Sequence, residues 1–440
     1  MRANLIRKLL KESTGPVAVL GNGISGRAAK DLLHKKSQAQ DMFDEKGKWF
    51  AQENARKCSL VVCSPGFSPD HPWIKLAKEE GKTIISELDL GICYSMERSL
   101  VGITGTNGKT SLATILNHVA NQVGYSSMTL GNIGYPLSRA VADKGTNGKI
   151  IFLETSSFQA TQSSCLCTDS LLWTNFTPDH LDYHKSEKEY FLAKLKLAND
   201  CKDASNVWVG ESVISSAQKL GVSLNPDFKV VRSLTKQEIP RNLNSCFKSI
   251  PQLENLAFAI QWFDYLGISR NHFFEALDGY QLEPHRLQKI DCVNQVSFWN
   301  DSKSTNLASV LAACRSFSEK IIWIGGGKNK GQDANDFAKF LAPFLDRAYL
   351  IGEMSSAVNE CLARRGIQSV SCKSLKDALH QAFQSATHKQ NILFSPGFSS
   401  FDMFLNYAER GKTFKSLVFD LKRSTQETTN LNNNHLQVSY

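Results

Sequence analysis

Three times along this 440-residue chain a short, mainly apolar run ends in glycine, and such runs alternate with helical stretches. The runs are Pro16-Val-Ala-Val-Leu-Gly21, Leu100-Val-Gly-Ile-Thr-Gly105 and Ile321-Ile-Trp-Ile-Gly-Gly-Gly327. Apolar residues on both faces of a strand need cover on both sides. A parallel sheet with crossover helices supplies that cover. The reading is therefore an α/β chain with more than one parallel sheet, and no internal repeat accompanies it. At roughly 100–200 residues per domain, the length allows two to four domains. Divisions near residues 96 and 285 give segments 1–95, 96–284 and 285–440.

Composition narrows the class. Hydrophobic residues make up 42% and charged residues 21%, which excludes a disordered or fibrous chain. Apolar runs such as Ile150–Leu153 are strand-sized and fall short of the roughly 18 residues of a membrane span, so no membrane insertion is expected. Charge interrupts the N-terminus every few residues, unlike a secretory signal. Lys plus Arg minus Asp plus Glu is 51 − 42 = +9. The basic residues are dispersed, with no arginine-rich arm and no stripe of interleaved aromatics. Small anionic ligands fit this better than nucleic acid. Eleven cysteines lack any CxxC pair, and Cys165-Leu-Cys167 has the wrong spacing for zinc. Free thiols in a reduced, cytoplasmic compartment are expected. From about Ser424 the Asn-, Thr- and Gln-rich tail reads as loosely attached.

The first glycine turn is Gly21-Asn-Gly23-Ile-Ser-Gly26, before a helix read from Arg27 to about Lys35, with Asp44 placed 18 residues further on. This is a dinucleotide fingerprint in its expected setting, but a helix N-terminus accepts any phosphate. A dinucleotide, another phosphate ligand and a mere tight turn all stay open. Ser64-Pro-Gly66 follows another apolar run and falls at the same sheet edge.

The second loop, Gly102-Ile-Thr-Gly105-Thr106-Asn107-Gly108-Lys109-Thr110-Ser111, says more. Its backbone N–H groups can wrap phosphates, Lys109 can reach β and γ oxygens, and the Thr110 hydroxyl can hold Mg²⁺. Ile103 stands where the strict pattern has its first glycine. ATP is the ligand it points to. Glu154 closes the strand run Ile150–Leu153, as a metal ligand or as an ordinary strand-end acid. In Leu171–Asp182, His180 between Asp179 and Asp182 reads equally as a metal ligand and as a structural histidine. Lys194, on an amphipathic helix, reads as a solvated lysine. Further on come Pro284-His285-Arg286, Asn300–Asn306, Gly325–Gly331 and Phe394–Asp402. These strand-to-loop junctions carry basic and hydroxyl groups and together favour an anion site.

Taken together, these motifs resemble the Mur ligase family of peptidoglycan synthesis over about residues 16–420. The residues that carry the resemblance are Gly105–Thr110, Gly131-Asn-Ile-Gly134, Glu154-Thr-Ser-Ser-Phe-Gln159, Asp179-His-Leu-Asp182 and Tyr190–Lys194. They continue with His285-Arg286, Asn300–Asn306 and Ser395-Pro…Ser400-Phe-Asp402. The resemblance implies three domains: a Rossmann-like N-terminal domain holding the UDP of a nucleotide sugar, a central P-loop-type ATPase domain, and a Rossmann-like C-terminal domain for an amino acid. It implies an ATP-dependent ligase, active as a monomer, that joins UDP-N-acetylmuramoyl-L-alanine to D-glutamate with two Mg²⁺ ions and an acyl-phosphate intermediate.

The implied roles follow the matched motifs. Lys109, His180 and Lys194 would be catalytic, with Lys194 carbamylated. Thr110, Glu154, His180 and Lys194 would serve the metals. Gly105–Ser111, Asn255, Arg286, Asp301 and Lys303 would bind ATP. Ser25 and Gly66 would hold the UDP. Asn132, Ser156 and Gln159 would contact the muramoyl-alanine portion, and Thr305, Lys330 and Ser400 the D-glutamate. The chain departs from the pattern at Gln252, Tyr183, Asn329 and Lys46. Three rivals stand beside this reading: a nicotinamide oxidoreductase built on the Gly21 turn, a non-enzymatic nucleotide switch, and a folylpolyglutamate-synthetase-like ligase.

Overall fold

The computed structural model describes residues 2–437 apart from 13–14, 96–97, 144, 182 and 244. Asp182, the second carboxylate of the Asp179–Asp182 motif, lies outside the described residues.

The described strands form three sheets. Strands β1 (Val17–Leu20), β2 (Gln40–Phe43), β3 (Leu60–Cys63) and β4 (Ile84–Ser86) make a parallel sheet in the order β2-β1-β3-β4. The second sheet contains β5 (Ser99–Thr104), β6 (Ser127–Gly131), β7 (Ile150–Glu154), β8 (Ser170–Trp173), β9 (Val207–Gly210) and β10 (Lys229–Val231). It is parallel throughout, in the order β10-β9-β8-β5-β7-β6. The third contains β11 (Gln288–Val293), β12 (Val296–Asn300), β13 (Ile321–Gly326), β14 (Leu345–Ile351), β15 (Gln368–Ser371) and β16 (Asn391–Gly397), in the order β11-β12-β16-β13-β14-β15. All its pairs are parallel except β11–β12. That hairpin turns on Asn294 and Gln295, both with positive φ, the conformation a two-residue hairpin loop demands. Burial alternates along β12.

Burial explains the order. Every residue of β1, β3, β8 and β9 is buried, as are all six of β13. At the edge of the third sheet, β15 is largely exposed.

The chain packs as two compact units. One comprises residues 1–178, 183–234 and 254–280 and contains the first two sheets. The other comprises 179–182, 235–253 and 281–440 and contains the third. Within the first unit, helix Glu87–Tyr94 joins the two sheets. Asp89 is fully buried and accepts from Ser163 Oγ at 2.6 Å and Cys165 N at 2.8 Å. Glu87 accepts from Ser138 N at 2.7 Å, and burial pushes its carboxyl up to about 7.

Two helix limits differ from the sequence reading. The helix after the first glycine turn begins at Ile24, not Arg27, because the turn's last residues already form its first turn. The tail from about Ser424, read as disordered or loosely attached, is helical as far as Gln437, in the helix Tyr407–Gln437. Phe414, Val418 and Leu421, at helical spacing, anchor that helix in the third sheet's core. Six of the ten described cysteines are buried. No helix among the described residues is long and apolar enough to cross a membrane.

Candidate active site

In the first unit, the turn after β1 opens onto a cavity of about 620 Å³ lined by Asn22, Gly23, Arg27, Asp44, Lys46 and Gly66, among others. Gly26 has no alternative here: a Cβ would lie 1.8 Å from the Gly21 carbonyl oxygen. Asp44 is occupied within the protein. It accepts from Asn22 N at 2.8 Å and Lys46 N at 3.0 Å, and these two backbone donors hold its carboxyl below the usual range. Arg27 Nε donates to the Asn22 carbonyl and side chain. Gly66 borders the cavity, whereas Ser25, read as its partner, is not among the lining residues.

The second glycine loop connects β5 to helix Lys109–Gln122. Gly108 caps that helix with φ +83, and a Cβ there would come within 2.6 Å of Asn255 Oδ1. Lys109 Nζ folds back onto the carbonyls of Gly105 (2.8 Å) and Thr106 (2.9 Å). Thr110 Oγ1 donates to Glu154 Oε2 at 2.7 Å, and Asn132 Nδ2 donates to Glu154 Oε1 at 3.1 Å. Thus Thr110, Asn132 and the buried Glu154, from three segments, meet beside the loop. A hydroxyl and a carboxylate are the hard oxygen donors that Mg²⁺ prefers, so this pair fits that ion.

Lys194 corrects the sequence reading. It is not solvated but buried at 1% exposure, on helix Glu187–Asn199. Its Nζ donates to Gly105 O at 2.9 Å and lies 4.9 Å from the centre of the Tyr190 ring. Ser156 and Gln159 form the capping box of helix Ser157–Gln162, each bonding the other's backbone N–H.

Two residues that the sequence reading gave no role also hold the loop. Asn175, at the end of β8, accepts from Asn107 N through Oδ1 at 2.9 Å. Its amide donates to Glu254 Oε2 at 3.0 Å, and burial drives the Glu254 carboxyl up to about 7. Asn175 lies inside the Leu171–Asp182 run, and Glu254 stands next to Asn255. The missing signal was their pairing, which joins distant segments.

In the second unit, four loops meet. Asp301 is buried and accepts from Leu287 N at 3.0 Å and Ser395 Oγ at 2.7 Å, as well as from Ser304 Oγ. Burial raises its carboxyl to about 6. His285 and Leu287, on either side of Arg286, both have positive φ, so the arch presenting Arg286 is held by its surroundings. Asn300 Nδ2 bonds His285 Nδ1 at 3.0 Å and the Gly411 carbonyl at 2.9 Å. Lys303 Nζ lies over the Tyr407 ring at 3.8 Å. Gln332 Nε2 donates to the Gly397 carbonyl at 3.1 Å, and an antiparallel bridge ties Lys328 to Ser399. Thr305, Lys330 and Ser400 therefore stand on neighbouring, cross-linked loops. His180 groups with this unit and takes a left-handed φ of 56; Asp179 accepts from Asn306 Nδ2 at 2.8 Å.

Comparison with known proteins bears on both units. Residues 103–229 match the Mur ligase middle domain, and residues 285–398 match the Mur ligase glutamate ligase domain. The UDP-N-acetylmuramoylalanine–D-glutamate ligase of Protochlamydia amoebophila is 30% identical over 436 residues, covering 91% of this chain and 97% of its own. The chain belongs to the Mur ligase family. The Desulfitobacterium hafniense ligase of the same name is 31% identical, over 82% of this Mur ligase and 84% of its own length. Among solved structures, the MurF ligase of Thermotoga maritima in complex with ADP aligns with a TM-score of 0.55 at 15% identity, over 84% of this chain and 96% of its own. At that identity the likeness is one of fold.

The departures within this Mur ligase have definite surroundings. Asn329 accepts from Gln332 N at 2.8 Å and donates to the Gln332 carbonyl at 3.2 Å, closing its own loop. Tyr183 stacks on Phe158 with ring centres 4.0 Å apart. Gln252 is buried. Lys46 lines the first-unit cavity.

Proposed function

We infer that this Mur ligase forms an amide between the carboxylate of UDP-N-acetylmuramoyl-L-alanine and the amine of D-glutamate, with ATP converted to ADP and phosphate. One observation carries the reading: relatives with that named activity match nearly end to end, and the match includes the phosphate loop where Thr110 meets Glu154. Three functional domains, 1–95, 96–284 and 285–440, divide the work in this proposal, in a cytoplasmic monomer.

The nucleotide sugar takes the first-unit cavity, with phosphates toward the Gly23–Gly26 turn. ATP phosphates take the Gly105–Ser111 loop. Lys109, released from the loop carbonyls it now bonds, turns to the γ-phosphate and spreads its charge. Asn255, Arg286, Asp301 and Lys303 complete the nucleotide's surroundings. Thr110 and Glu154, with His180 and a carbamylated Lys194, would hold two Mg²⁺ ions, which supply charge neutralisation at the transferring phosphoryl group. A carboxylate is a poor acyl donor, so its oxygen first attacks the γ-phosphorus and ADP leaves. The D-glutamate amine then attacks the acyl carbon, and phosphate departs with the electron pair of the broken C–O bond. Asn132, Ser156 and Gln159 border the acyl end, while Thr305, Lys330 and Ser400 hold the D-glutamate carboxylates.

Lys330→Ala tests the amino-acid assignment. Removing the charged partner of a carboxylate costs about 2–5 kcal/mol, roughly 30-fold or more. The Michaelis constant for D-glutamate is expected to rise by that factor, and that for ATP to change far less. Equal rises would place Lys330 elsewhere.

A further inference from the structure

Beneath the amino-acid loops of the second unit lies a cation that the mechanism above does not use. Arg410, in the first turns of helix Tyr407–Gln437, is 1% exposed. Its guanidinium divides its donors between two loops. Nε donates to Ser302 Oγ at 3.1 Å and Nη2 to the Ser302 carbonyl at 2.9 Å. Nη1 donates to the Phe398 carbonyl at 3.0 Å. A third loop is tied in through Ser399, next to Phe398: its carbonyl accepts from Lys328 N at 2.9 Å, and a Cβ on Gly327 would stand 2.3 Å from that oxygen and 3.3 Å from Nη1.

These anchor points have positions in common. Ser302 lies between Asp301 and Lys303, Phe398 lies two residues before Ser400, and Gly327 lies three residues before Lys330. The residues assigned to the amino acid, and Lys303 of the nucleotide set, thus share one rigid support. Among the described residues, Arg410 makes no ion pair; its acceptors are neutral oxygens. The nearest charge acting on it is Asp402, whose own Oδ2 accepts from Glu353 N. Burial lowers the guanidinium only to about 10, so it is charged at neutral pH. Folding has buried a charge whose hydrogen-bond partners are neutral and which Asp402 offsets only through space, a costly arrangement that further anionic charge in the region would relieve.

We propose that Arg410 is a positioning residue for the amino-acid substrate: its fork sets the Ser302 and Phe398 loops in register, and through Ser399 the Gly327 loop, while its buried positive charge favours an incoming dicarboxylate. Arginine suits both parts, since a planar fork aims at fixed acceptors where a lysine would reach one. The proposal rests on the D-glutamate reading.

Two variants test it, Arg410→Lys and Arg410→Gln, each assayed for phosphate release over a range of each substrate. Arg410→Lys keeps the charge and loses the fork; Arg410→Gln loses both. The expected result is a Michaelis constant for D-glutamate raised roughly tenfold in Arg410→Lys and roughly 30-fold or more in Arg410→Gln. That for UDP-N-acetylmuramoyl-L-alanine, which is assigned to the first unit, should stay within about twofold. Methylguanidinium should restore part of the Arg410→Gln loss, a response that lost packing alone would not give. Equal changes in all three Michaelis constants would overturn the proposal. So would an unchanged D-glutamate constant, or the collapse of both variants to unfolded chain, which would make Arg410 a folding residue. The wild-type protein separates the two claims. If it turns over a different amino acid, the D-glutamate reading fails, and the Arg410 effect is read in that amino acid's constant.

Discussion

The two glycine turns of the first unit look alike in sequence and differ in what they keep for a ligand. Each follows a buried strand and opens a helix. At Gly21–Gly26 the turn satisfies itself: Asp44 takes the Asn22 N–H, and Arg27 folds onto Asn22. What it leaves is a shaped cavity. At Gly105–Ser111 the loop carries its own cation, and Thr110 and Glu154 are joined beside it. In the proposed function the first holds a phosphate ester that does not react, and the second handles one that does. On that reading a glycine turn marks where a phosphate sits. The side chains it recruits decide whether chemistry follows.

Paired substitutions give the largest expected effects and separate the turns. Lys109→Ala should cut turnover about 10²–10³-fold or more, the scale for removing a donor aimed at developing charge. It should leave nucleotide-sugar binding intact. Gly26→Ala should do the opposite and abolish nucleotide-sugar binding, because its methyl would collide with the Gly21 carbonyl. Isothermal titration of each variant with each nucleotide reads the difference. Loss of both ligands in both variants would break the comparison.

Lys194 sharpens it next. A carbamate would replace the cation at Lys194 with an anion able to hold a metal. Lys194→Ala should lose most turnover while ATP still binds, and acetate should recover part of the rate by placing an anion in the vacated space. Lys194→Arg should stay inactive, since it keeps the positive charge and cannot take up CO₂. Near-normal turnover of Lys194→Arg would leave Lys194 as a donor to the loop carbonyl and nothing more.

The smallest effect concerns the loop's support. The Glu254 carboxyl stands near 7 in the folded chain against 4.5 ordinarily, so between those values the folded state binds more protons than the unfolded. Its stabilising part is complete below about pH 4.5 and is lost as pH rises through about 7. The ceiling is about 3 kcal/mol for a shift of this size. Glu254→Gln should therefore melt at a higher temperature relative to wild type at pH 8 than at pH 5. A pH-independent difference would mean that the carboxyl does not titrate in that range.

What the sequence made legible was local. Buried runs named strands, glycines named turns, and Lys109, Thr110 and Glu154 were readable because strand ends and a helix N-terminus bring them together by topology. Lys194 was misread from physics alone, although Tyr190, Phe191 and Ala198 place it on the apolar stripe of its helix. Arg410 gave no signal. Its partners lie at positions 302 and 398, and only the third sheet brings those loops to one guanidinium. Asn175 with Glu254 is the same case, a polar pair between the loop after a strand and a distant helix rather than between neighbours in sequence.

The measurement closest to the central claim is phosphate release with ATP, Mg²⁺ and UDP-N-acetylmuramoyl-L-alanine, run against a panel of amino acids in both configurations. The account predicts release that depends on D-glutamate, with the amide product formed in equal amount, and little release with L-glutamate, neutral or basic amino acids. Release that ignores the amino acid, or that answers to a different one, would contradict it.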